Sequence, residues 1–318
     1  MIASGRARSG RYVVLLTLPV FVFSGAGASP AGESASEPLH FDHSYRLRLD
    51  RLAAPSVGPT GLLVRARINR GPELRLLLDS GAQHVVLDRR TAARSGCKGG
   101  AALDLVEPGA AGAEPATRLD DNTVAMSGLE LNDVPVLISG RRLADGVDGV
   151  LPLSLFAKFL IRLDIPGRSL DLEPYPAGEP DDPGAVRAVA SNRLLFLKGV
   201  FNETREGYFL LDTGASYNAI SPALSRELNH GIAGAESISV QNGSADMEAP
   251  LFRFPARVRF GSRELSVNPV VAVDLSASSR YHGLEVSGLI GYPALSGCVI
   301  TVNYRDGLVR IDPRSKNQ

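Results

Sequence analysis

Residues 208–220 read YFLLDTGASYNAI, and residues 75–87 read RLLLDSGAQHVVL. In each, an apolar run with the character of a buried strand ends on an aspartate, Asp212 or Asp79, followed by a small hydroxyl residue, glycine and alanine. A carboxylate at the end of a buried strand is costly unless it is paired or used. Either stretch alone reads equally well as an ordinary turn. The two stand 212 − 79 = 133 positions apart, and that shift lays Gly61–Gly96 on Leu194–Asn229 without a gap. Each copy then contains an apolar strand, a polar turn at Asn69 or Asn202 and a second apolar strand ending at the aspartate. A capping residue, Asp88 or Ser221, follows and predicts a short helix behind it.

A second overlay, at 290 − 151 = 139, sets Asp148–Pro174 on Ser287–Pro313. Both segments carry an apolar pair after a glycine, a short helical piece and a hairpin. The hairpin follows from the alternation of Ile161, Leu163 and Ile165 with Arg162 and Asp164, and from turns at Pro166-Gly167 and Asp306-Gly307. The change of offset by 139 − 133 = 6 predicts an insertion in the second copy, expected as a loop between strands. Two copies of this length exclude a solenoid and leave a duplicated, β-rich domain. Residues 45–175 form the first copy and 191–314 the second, with the Pro/Gly-rich stretch 176–190 as linker.

The bulk composition bounds the function. The 318 residues carry 34 Lys and Arg against 34 Asp and Glu, so charge gives no case for a nucleic-acid or anionic-membrane partner. Cys97 and Cys298 are the two cysteines, which excludes a disulfide framework and a cysteine zinc site; whether they pair is open. His40, His43, His230 and His282 show no metal-ligand spacing, so neither metal nor cofactor is expected. At the N-terminus, Arg6, Arg8 and Arg11 precede the apolar run from Tyr12 to Phe23, and Ala26 and Ala28 supply an A-x-A site. That run falls short of the roughly 20 residues of a membrane span and reads as an export signal over 1–28, followed by a polar leader over 29–44. The expected protein is periplasmic or secreted, monomeric, and not inserted in a membrane after signal removal.

The pair of Asp-Ser/Thr-Gly loops, each with an apolar pair about 70 residues on, resembles the aspartic proteases of the retropepsin and pepsin-like fold. The resemblance spans most of residues 45–313. It implies a mainly β fold: two retropepsin-like β-barrel lobes related by a pseudo-twofold axis, with a few short helices. It implies an Asp79/Asp212 dyad, supported in its loops by Ser80, Gly81, Ala82, Thr213, Gly214 and Ala215, and packed from beneath by Gly149, Val150, Leu151, Leu289, Ile290 and Gly291. By resemblance, Ser80 and Thr213 bond across the lobe interface. Two carboxyls so close share one proton, as in that family, so one can activate water while the other protonates a peptide carbonyl. The implied substrate is a polypeptide bound in extended form. Flaps are sought within 120–140 and 236–256.

Two details qualify the resemblance. Ala82 and Ala215 follow the retropepsin habit, where pepsin-like enzymes place a hydroxyl, and this predicts a mildly acidic to neutral pH optimum. The second motif is intact as Leu289-Ile290-Gly291, but the first copy has Val150-Leu151-Pro152, with proline in place of glycine. Pro152 leaves room for another function, a non-catalytic peptide-binding or scaffold protein, and for a homodimer using the second lobe of each chain. His84, five positions past Asp79, either lines a substrate pocket or sits on the loop rim.

Overall fold

The computed structural model describes residues 14–16, 21–23, 43–54, 58–106, 113–140, 143–178, 182–228, 236–242, 245–253 and 255–314. Within these the chain is mainly β, folded as two lobes on one plan. In the first lobe Gly58–Ile68 and Glu73–Asp79 form an antiparallel hairpin around Asn69; in the second, Leu194–Phe201 and Arg205–Leu211 do the same around Asn202. Asn69 and Asn202 hold left-handed φ angles of 53° and 43°, a conformation asparagine tolerates better than most residues.

The apolar triplets before the aspartates are explained by what flanks them. Glu73–Asp79 lies between the antiparallel Gly58–Ile68 and the parallel Gly149–Pro152. A strand enclosed in this way loses the in–out alternation, and Leu76, Leu77 and Leu78 are all fully buried. Arg205–Leu211 is enclosed equivalently by Leu194–Phe201 and the parallel Val286–Ile290. Behind each loop a helix starts at the expected cap. The Thr91 N–H donates to Asp88 Oδ1 at 2.7 Å ahead of Arg89–Arg94, and the Leu224 N–H donates to Ser221 Oγ at 3.4 Å in Pro222–Leu228.

Six strands, three from each lobe, join the halves. In spatial order they are Tyr45–Ala54, Ser169–Glu173, Leu160–Asp164, Cys298–Asn303, Leu308–Pro313 and Val186–Ser191. The crossing point is the antiparallel pairing of Leu160–Asp164 with Cys298–Asn303. Ile161, Leu163, Leu170, Leu172, Ile300, Val302, Val309 and Ile311 from these strands enter one shared core. Burying each such side chain contributes about 1.5–3 kcal/mol, so the joint is part of the hydrophobic core rather than a tether.

Three expectations are revised by the structure. The linker is shorter than 176–190, because Val186–Ser191 is already a strand of the joining sheet. Most of the second-copy insertion is helical: the offset is 270 − 136 = 134 where Val136 and Val270 occupy matching registers, and it reaches 139 only after the helix Ser276–His282. The long hairpin expected within 236–256 is present as Glu236–Asn242 with Ala245–Phe252. Its first-lobe counterpart is Ala101–Val106 with the first half of Ala113–Met126, earlier than 120–140. Val124 and Ala125 instead pair with Ile68 and Arg67, and residues 136–139 with Val85–Asp88, after register shifts at Leu119/Asn122 and Asn122/Val124 that blur the alternation. Cys97 and Cys298 are both buried and not joined to each other.

Of the expected export signal, Val14–Leu16 and Phe21–Phe23 are described; the rest of 1–28 and residues 29–42 lie outside the described residues. Val14–Leu16 runs parallel to residues 240–242, and Phe21–Phe23 antiparallel to residues 104–106. No helix among the described residues is long and apolar enough to cross a membrane.

Candidate active site

Asp79 ends its strand and Asp212 directly follows Arg205–Leu211, at the interface of the lobes, both with no solvent exposure. The loops that follow are cross-bonded. The Ser80 N–H donates to Thr213 Oγ1 and the Thr213 N–H donates to Ser80 Oγ, each at 3.0 Å. The same two hydroxyls donate onward, Ser80 Oγ to the Leu211 carbonyl at 2.7 Å and Thr213 Oγ1 to the Leu78 carbonyl at 2.9 Å. Each hydroxyl thus bonds to the backbone on both sides of the opposite aspartate, and all four hydrogen bonds are buried.

The carboxyls are held from below by their own loops. Gly81 N–H donates to Asp79 Oδ1 at 2.7 Å; Gly214 and Ala215 N–H donate to Asp212 Oδ1 at 3.0 and 2.9 Å. Gly81 approaches the opposite carboxyl so closely that a Cβ there would stand 2.6 Å from Asp212 Cγ, which excludes any side chain at this position. The two carboxyls also interact directly. Asp212 titrates well above the ordinary carboxylate range, first because burial penalises its charge and then because of the charge and hydrogen bond of Asp79; the N–H groups of Ala215 and Gly214 oppose the shift. The aspartates titrate as a coupled pair, with one proton retained where isolated carboxylates are ionised.

The second motifs lie alongside. Gly149, Val150 and Leu151 run parallel to Leu76, Leu77 and Leu78, while Leu289 and Ile290 run parallel to Leu210 and Leu211. The structure also shows why proline is accommodated in one lobe and glycine required in the other. Gly291 N–H donates to Asn218 Oδ1 at 3.0 Å, and a Cβ on Gly291 would lie 2.1 Å from the Tyr217 carbonyl oxygen. The residue matching Asn218 in the first lobe is 218 − 133 = 85, a valine with no acceptor. Pro152 has no N–H to satisfy, so Val85 and Pro152 match each other as Asn218 and Gly291 do. Pro152 is extended, with φ −67° and ψ 136°, and stands in register opposite Asp79.

Asn218 was not among the expected site residues. Its signal in the sequence was a polar residue at a position where the strand is otherwise apolar, and it is fully buried. His84 is half-buried, with Nδ1 sealed from solvent. It is pushed down to about 4 by burial, then by the charges of Arg118 and Arg193, with Asp120 opposing. No group of His, Cys, Asp and Glu suited to a metal ion occurs among the described residues.

A sequence model of the aspartyl protease family matches residues 64–155 and 197–294, one segment in each lobe and each containing one of the aspartates. The chain belongs to the aspartyl protease family. Among solved structures, this aspartyl protease-family chain is similar to an aspartic proteinase from Irpex lacteus, with a TM-score of 0.54. At 11% identity, covering 86% of this chain and 98% of that one, the likeness is one of fold. No curated protein matches. For the family member described here, the two matched segments and the bilobal neighbour agree with the duplicated architecture.

Proposed function

We propose that the protein is an aspartic endopeptidase that hydrolyses peptide bonds with water activated by Asp79 and Asp212. The observation that carries this reading is the buried, mutually interacting carboxyl pair on loops locked by Ser80 and Thr213. The ionised member of the pair takes a proton from a water whose oxygen attacks the scissile carbonyl carbon. The protonated member donates to the carbonyl oxygen. Collapse of the tetrahedral intermediate breaks the C–N bond, and the leaving nitrogen takes up a proton. Holding both carboxyls in place before substrate arrives spares the reaction their reorganisation.

The substrate is an extended polypeptide. This is supported by the two long hairpins, whose strands already accept an added strand: Val14–Leu16 on residues 240–242 and Phe21–Phe23 on residues 104–106. The scaffold reading drew on Pro152; against it stands Val85, which offers no acceptor for the N–H that a glycine at 152 would carry.

The test is cleavage of an unstructured protein by wild type, Asp79→Asn and Asp212→Asn. Both variants are expected to lose about 10²–10⁴-fold in rate. Undiminished activity in both overturns the reading, while survival in Asp79→Asn alone points to second lobes pairing between chains.

A further inference from the structure

Two strands near the N-terminus stand outside the duplicated plan and are bonded to both lobes. Val14–Leu16 runs parallel to residues 240–242, pairing Val14 with Val240, Leu15 with Gln241 and Leu16 with Asn242. Phe21–Phe23 runs antiparallel to residues 104–106, pairing Phe21 with Val106, Val22 with Leu105 and Phe23 with Asp104. The first of these hairpins belongs to the second lobe and the other to the first lobe. Residues 14–23 therefore cross from one lobe to the other.

Each contact falls on a strand edge. Glu236–Asn242 has Ala245–Phe252 on one side, and Ala101–Val106 has Ala113–Met126 on one side. The opposite edge of each carries backbone N–H and C=O groups that a further strand can pair. The N-terminal strands take both edges, at the three residues that end each hairpin strand before its turn. From Leu16 to Phe21 the chain makes 21 − 16 = 5 steps, which span at most about 18 Å. With both ladders formed, the hairpin ends cannot draw apart beyond that reach plus about 4.8 Å at each side.

The dyad in this form is shut. Asp79 and Asp212 have no solvent exposure, and the Oδ2 atom of each is sealed. A polypeptide reaches these carboxyls only when the parts above them move, and the tied hairpins lie outside the joining sheet that fixes the lobes. Both N-terminal strands lie inside residues 1–28, whose sequence reads as an export signal ending at Ala28. One cut removes both.

We propose that Val14–Leu16 and Phe21–Phe23 form a strap that keeps the peptidase latent until the export signal is removed. The inference rests on the peptidase reading and adds its regulation. An export peptidase, with water as second reactant, hydrolyses the peptide bond after Ala28. The strap leaves in a fragment ending in the new carboxylate, and residue 29 keeps the new amine. The same two edges are then open to a substrate strand. While attached, the strap acts at an effective concentration of about millimolar and outcompetes dilute substrate.

The experiment uses the full chain with residues 1–28 retained. Leu15→Pro combined with Val22→Pro removes a backbone N–H from each N-terminal strand and disfavours its pairing, whereas Leu15→Ala with Val22→Ala keeps both N–H groups. Cleavage of an unstructured protein is expected to be at least about tenfold faster with both prolines than in wild type, because the open fraction sets the rate. The alanine pair is expected to rise less. Hydrogen exchange in an Asp212→Asn background reads the strap without any cleavage. The amides of residues 104–106 and 240–242 are expected to exchange about tenfold faster once both prolines are present. Equal exchange at these amides with and without the prolines overturns the proposal, as does cleavage by wild type at the rate of the proline variant. Protection that the prolines release, with no cleavage by any chain, sinks the hydrolytic reading alone and leaves the strap standing.

Discussion

Ser80 and Thr213, one from each lobe, exchange backbone N–H to hydroxyl hydrogen bonds of equal length, 3.0 Å in both directions. Neither aspartate loop is therefore completed by its own lobe. Each takes its final shape from a side chain 133 residues away in sequence.

Removing one of these hydroxyls orphans buried groups in the opposite loop. Thr213→Val leaves the Ser80 N–H without its acceptor and is expected to cost about 1–3 kcal/mol, whereas Thr213→Ser should cost less than about 1 kcal/mol. Thermal unfolding of the two variants checks this. Equal losses in both would mean that shape, not the hydroxyl, matters at this position.

Stability should depend on pH through Asp212, and the sign follows from its raised titration. The folded protein keeps a proton that the unfolded chain releases in the ordinary carboxylate range. The contribution to stability is thus present at low pH and is lost as pH rises toward the folded value. Asp212→Asn cannot ionise, so its melting temperature should gain on that of wild type as pH increases through this window. Parallel melting curves across the window would contradict the assignment.

The paired substitutions around the second motif give opposite expectations in the two lobes. Asn218→Val strands the Gly291 N–H and should cost about 1–3 kcal/mol. Pro152→Gly frees the unfolded chain and should cost only about 0.4–1 kcal/mol, with hydrolysis retained. Denaturant unfolding and an activity assay on both variants decide it; inactivation by Pro152→Gly would show that the first lobe depends on its proline.

The rate profile should peak in the mildly acidic to neutral range. Alanine follows each glycine, so no hydroxyl at those positions stabilises the ionised pair, and Asp212 is raised. Ala82→Ser supplies such a hydroxyl and should move the acidic limb of kcat/KM to lower pH. A wild-type optimum near about pH 2 to 3 would refute this.

The parts of the molecule legible in the sequence were those repeated at a fixed offset. Asp79 and Asp212, their glycines, the caps Asp88 and Ser221 and the turns after Asp164 and Asn303 all recur in register, and each has a local chemical reason to do so. What was not legible depends on contacts between distant strands. Asn218 matters because of Gly291, which reaches it from 73 positions further on. The hairpin at 101–118 was obscured by residues 107–112, which are outside the described strands, and by the register shifts after Leu119.

The joining sheet has a mechanical consequence. Leu160–Asp164 and Cys298–Asn303 share a continuous hydrogen-bonded ladder from Ile161 opposite Val302 to Asp164 opposite Val299, over a core common to both halves. A hinge between the lobes would have to break that ladder. The spacing of the two carboxyls is accordingly as stiff as the sheet beneath them. On the peptidase reading, closure around a substrate falls to the strand pairs 101–106/113–118 and 236–242/245–252, which are not part of this joining sheet.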